Sequence, residues 1–138
     1  MSRRRVSSLN AILFFAFWLA VLYAGADHPP PPGFIWLVLL TLAAACLVYW
    51  RVGTYLTWIE RGRPRHLLRV IGEGFGVGLA FALLAGAASS LLRYGEPTVR
   101  PQASSYLIWL CVVGVVGAAT AAAIYLINLM VIRLARTR

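Results

Sequence analysis

Lysine is missing from this chain of 138 residues, and acidic residues number only four. Charged residues make up 12% against 61% hydrophobic, with a mean hydropathy of +0.78. A soluble domain carries about 25% charged and roughly 45–50% apolar residues. The shortfall leaves too little polar surface to cover a water-soluble globule, which excludes soluble enzymes, secreted disulfide scaffolds and disordered regulators. Cysteine is scarce too. Cys46 and Cys111 stand singly in different apolar runs, at different depths counted along a helix, and read as small buried apolar residues rather than a redox pair.

Patterns that carry chemistry are equally thin. Histidine occurs only at His28 and His66, in segments that alternating spans place on opposite sides of a membrane. No P-loop, HExxH or GxSxG spacing is present. Gly72-Glu-Gly-Phe-Gly-Val-Gly78 has glycines spaced as in nucleotide loops, but it lies inside an apolar run with no strand before it. Asp27-His28 supplies two adjacent residues where a metal needs three or four converging ligands, so it reads as a solvated turn. The chain is expected to hold no catalytic centre, no cofactor and no metal.

What it does have is four long apolar runs. A spanning helix takes about 20 mostly apolar residues, in a range of roughly 17–25. Spans are expected at about 9–26, 33–50, 70–92 and 104–132. The runs are continuous and not alternating, which favours helices over barrel strands. The last is longer than one crossing needs, so its helix should tilt or project. The expected fold is an all-α membrane protein: one integral domain over 1–138, a small polytopic bundle of four transmembrane helices.

Arginine sets the orientation. Of the thirteen basic residues, Arg3, Arg4 and Arg5 open the chain, and Arg51, Arg61, Arg63, Arg65 and Arg69 fall in one central segment. Arg133, Arg136 and Arg138 close it; only Arg93 and Arg100 lie elsewhere, near Glu96. Positive charge concentrates on the cytoplasmic side of membrane proteins, so both termini and the central segment are expected there. The net charge of +9 alone would suit a nucleic-acid partner. Clusters alternating with apolar runs, and no binding motif, argue against one. Arginine without lysine in an alanine-rich chain points to a GC-rich bacterial genome, hence a bacterial inner membrane.

The first run has a competing reading. Arg3 to Arg5, the apolar stretch and Ala24-Gly25-Ala26 together look like a signal peptide with its cleavage site. Phe14, Phe15, Phe17 and Trp18 make the stretch aromatic, and a second run begins within a few residues. An uncleaved first helix is the expectation. The connection after it, Pro29 to Pro32, should be stiff and extended.

The segment 51–69 is expected to be a cytoplasmic basic loop. Trp50 and Trp58 suit the headgroup level, and Arg51, Arg61, Arg63 and Arg65 would face anionic lipid phosphates at about 1 kcal/mol each. Within the spans, Gly74, Gly78, Ala82, Gly86 and Ser90 recur every fourth residue, and Gly114, Ala118 and Ala122 repeat that spacing. Such ridges let helices approach closely in lipid, so the third and fourth helices should pair as a hairpin, and a second copy or another membrane protein could use the same face.

Glu73 is the one carboxylate inside a span, and intramembrane carboxylates are functional candidates by default. Arg69 lies four residues earlier on the same face, and Asn128 should reach a similar depth on the returning helix. The three form a candidate ion or substrate site. The plainer reading is an interfacial Arg69–Glu73 ion pair. Small multidrug transporters are similar in size and layout, but they carry a carboxylate in the first span, and the run 11–26 has none. The expected function is therefore a small accessory or interaction subunit without catalysis. A small homo-oligomeric transporter or channel using Glu73 is the alternative.

Overall fold

The computed structural model describes residues 3–26, 28–30, 33–61, 66–92 and 103–136. They form α1 (Arg3–Gly25), α2 (Phe34–Glu60), α3 (His66–Leu92) and α4 (Ala103–Arg136). All seven prolines, at 29–32, 64, 97 and 101, fall between these helices. Proline lacks an N–H and its ring clashes with the preceding turn, so the helices run wherever proline does not interrupt them. Each is long and apolar enough to cross a membrane. Helices of 23 to 34 residues measure about 35–51 Å, against a hydrocarbon core of about 30 Å.

One boundary departs from expectation. Helix α2 does not end at Trp50 but continues to Glu60, and α3 opens at His66. Most of the segment 51–69, expected as a basic loop, is therefore helical. The physical reason is that no proline occurs before Pro64, and Arg51 finds a partner on α3 instead of needing water. Of the short connection that remains, 62–65 lies outside the described residues, and so do Arg63 and Arg65.

The helices run up and down as two antiparallel hairpins. In the first, Arg3 meets Glu60 at 2.6 Å at one end, and the rings of Tyr23 and Phe34 lie 6.3 Å apart at the other. The second, α3 with α4, is the most extensive contact in the molecule. The hairpins join at the arginine-rich end, where Tyr55 and Ile59 of α2, Val70 of α3 and Tyr125 of α4 form a buried cluster. The start of α1 and the end of α4 lie at this same end. Ile12, Leu13, Trp50, Leu68, Ile108 and Met130 point outward, each more than half exposed. A protein in water rarely exposes so many large apolar side chains; hydrocarbon accepts them.

Glycine explains how closely α3 and α4 approach. A Cβ on Gly74 would stand 2.5 Å from the Ala121 Cβ and 2.6 Å from the Gly117 carbonyl oxygen, and one on Gly78 would stand 2.5 Å from the Val113 oxygen. These distances are shorter than van der Waals contact, so only hydrogen fits. Ala82 is fully buried along the same line, and Gly86 lies under the Tyr106 ring. Ser90 falls within α3, but its side chain is outside the described residues. On α4 the seam differs from the expected Gly114–Ala118–Ala122 ridge. It runs through Gly114, Gly117 and Ala121, while Ala118 and Ala122 are half-buried one residue further on. A spacing of three then four follows the helical stripe more closely than two steps of four.

Candidate functional site

Glu73 lies about two turns into α3, and α2 passes beside it. Arg51 donates to both carboxylate oxygens, from Nε to Oε2 at 3.0 Å and from Nη2 to Oε1 at 2.5 Å. Tyr55, one turn further along α2 on the same face, donates its hydroxyl to Oε2 at 3.2 Å. Arg69, one turn back on α3, approaches Oε1 at 3.4 Å. A guanidinium fork on a carboxylate is the strongest geometry available to such a pair, because two parallel charged hydrogen bonds fix both partners. Three donors occupy most of the acceptor capacity of one carboxylate.

An aromatic floor supports the charges. The Arg51 guanidinium carbon lies 5.8 Å from the Tyr55 ring centre and 5.7 Å from that of Trp58. Arg69 lies 5.1 Å from Trp58, whose indole also stacks on His66 at 4.8 Å. Cations over aromatic faces gain roughly 0.5–1 kcal/mol where exposed. Trp58, expected as a headgroup anchor, is thus held inside this cluster. Trp50, the other expected anchor, points outward, 76% exposed, and Arg61 is exposed as well.

Two expectations about the site change. Arg51, expected at lipid headgroups, is the chief partner of Glu73. Asn128 was expected with Glu73 and Arg69, but its amide turns to α1. Asn128 Nδ2 donates to Asn10 Oδ1 at 3.0 Å, and Asn10 Nδ2 donates back to Asn128 Oδ1 at 3.3 Å. Each also donates to the carbonyl one turn before it, Ile124 or Val6, at 2.7 and 2.8 Å. These are the only asparagines in the sequence, and Asn128 is buried. In hydrocarbon each amide lacks water, so the pair satisfies both.

Sequence reasoning missed the pairing of Arg51 with Glu73 and of Asn10 with Asn128, and a depth count could have found both. Arg51 precedes the proline of the central connection by thirteen residues and Glu73 follows it by nine. Asn10 follows the first residue of α1 by seven and Asn128 precedes the last of α4 by eight. Antiparallel helices bring such positions to nearly the same level.

Between the hairpins lies a cavity of about 780 Å³ lined by all four helices. Trp18, Leu37, Phe81 and Trp109 form its walls, and Arg51 and Glu73 with Tyr55 stand at its arginine-rich end. Cys46 and Cys111, expected to be buried, are exposed on the outer surface with free thiols. Among the described residues, no three His, Cys, Asp or Glu side chains converge on a point that could hold a metal. His28 packs against Tyr23 at 4.9 Å, and Asp27 lies outside the described residues. The arrangement at Glu73 is chemically a latch: a carboxylate whose lone pairs are mostly taken, binding α2 to α3. No family model, no curated protein and no solved structure matches this chain.

Proposed function

We propose that this chain is a non-enzymatic, multi-pass protein of the bacterial inner membrane, acting as a small accessory or interaction subunit. Both termini and the connection after Glu60 face the cytoplasm, where eleven of the thirteen arginines then lie and meet anionic headgroups. The observation that carries this reading is the closed network around Glu73. A carboxylate that couples ion or substrate movement must exchange partners during the cycle; this one is held by Arg51, Tyr55 and Arg69 at once. The small-residue faces of α3 and α4 pack on each other, and the outward apolar faces, with Trp50, Ile108 and Met130, are left for a partner.

One observation favours a second reading, a small homo-oligomeric transporter. Glu73 lines the cavity, so a substrate could reach it. The cavity walls are almost wholly apolar, which suits an ion path poorly. The test is blue-native electrophoresis of native membranes together with solute and proton flux in liposomes. The interaction reading expects a defined complex larger than the single chain, unchanged by Glu73→Gln, and no flux above protein-free liposomes. A lone chain whose flux disappears in Glu73→Gln would replace it with the transporter.

A further inference from the structure

The cavity has a depth as well as a volume. Along α3 its lining extends from Glu73 to Ala85, twelve residues or about 18 Å at 1.5 Å per residue. Half of a hydrocarbon core is about 15 Å. Along α2 the lining runs further, from Leu37 to Tyr55, or about 27 Å, so the cavity is deeper than one leaflet and long enough for an acyl chain, and 780 Å³ falls inside the range of roughly 300–1,000 Å³ usual for ligand sites. Thr41 and Thr120 on its walls donate their hydroxyls to Leu37 and Val116 carbonyls, one turn back, at 2.7 and 2.8 Å. They ask nothing of an occupant.

Charge gathers at one end only. Arg51 and Arg69 face a single carboxylate, Glu73, so the group carries one net positive charge. Arg69 is 66% exposed there and Arg51 36%, which leaves N–H groups open to a further anion. An apolar slot long enough for an acyl chain, with a net cation at its arginine-rich end, matches one kind of molecule. We infer that the cavity holds an acyl chain of an anionic phospholipid from the arginine-side leaflet, with its phosphate beside Arg51 and Arg69. This stands apart from the interaction reading and does not depend on it.

Gly76 makes the inference testable without touching the helix seam. It lines the cavity, and a Cβ added there meets no atom within 4 Å. Gly76→Phe should therefore fill the slot while Gly74 and Gly78 keep their contacts. The experiment is native mass spectrometry of the detergent-purified protein, titrated with phosphatidylglycerol or with phosphatidylcholine of identical chains. The first lipid bound should favour phosphatidylglycerol about fivefold, the worth of one uncompensated arginine near the headgroups. Gly76→Phe should abolish this first site and leave only weak later adducts. Arg51→Gln should keep a bound lipid but erase the headgroup preference; if that variant does not fold, Gly76→Phe decides alone. Equal binding of the two lipids by the wild type, or a preference that survives Gly76→Phe, overturns the inference. A dimer that Gly76→Phe disrupts would also overturn it, placing a second copy in the slot.

Discussion

Glu73 pairs with arginines from two helices, and the two are unequal. Arg51 reaches across from α2 through two charged hydrogen bonds, whereas Arg69 shares the helix of Glu73 and is two-thirds exposed. Exposed pairs one turn apart contribute about 0–1 kcal/mol, while hydrogen bonds to charged groups in sheltered sites contribute about 1.5–3 kcal/mol. Partial exposure of Arg51 reduces the second figure. Arg51→Gln should thus lower stability by about 1–2 kcal/mol and Arg69→Gln by under about 1 kcal/mol, read as thermal melting in detergent. Equal effects, or a larger one for Arg69→Gln, would mean that the network does not join the helices. The asparagine pair makes a similar claim. A double-mutant cycle of Asn10→Ala and Asn128→Ala should give a coupling of about 0.6–1.7 kcal/mol, the range for hydrogen bonds between helices in lipid. Additive effects would show that the two amides act separately. Glu73 was legible in the sequence as the lone carboxylate in a span. Its main partner was not, because Arg51 follows an unbroken apolar run and so read as the first residue of a loop.

At the scale of the helices, close approach depends on which glycine is changed. Gly78 faces the backbone of α4, and Gly76, two residues earlier on the same helix, faces open space. Gly78→Leu should push the helices apart and cost about 1–3 kcal/mol, as overpacking does. Gly76→Leu should change stability by less than about 0.5 kcal/mol, within the ordinary range for positions away from packed contacts. Melting curves of the two variants side by side check this; equal losses would mean that α3 does not seat against α4 along this line. The α3 ridge was legible because Gly74, Gly78 and Ala82 are small residues set among larger ones. The α4 register was not. Residues 117–123 read Gly-Ala-Ala-Thr-Ala-Ala-Ala, so nearly every face is small and spacing alone cannot choose among them. In the structure Gly117 and Ala121 are the ones that face Gly74.

For the whole molecule, run length and proline punctuation were enough to read four helices and their antiparallel order. Their ends were less legible, because an apolar count stops at the first charged residue while a helix continues as long as its charges find partners. Arg51 with Glu73, and Arg3 with Glu60, are such partners. The central claim is that four helices cross the membrane, with the arginine-rich end in the cytoplasm. An even number of crossings from a cytoplasmic N-terminus must return the C-terminus to the cytoplasm. The most direct measurement is a pair of reporters fused after Arg138 and expressed in a bacterium, one fluorescent only inside and one enzymatically active only outside. The account predicts fluorescence from the first and no activity from the second; an active external reporter would contradict it.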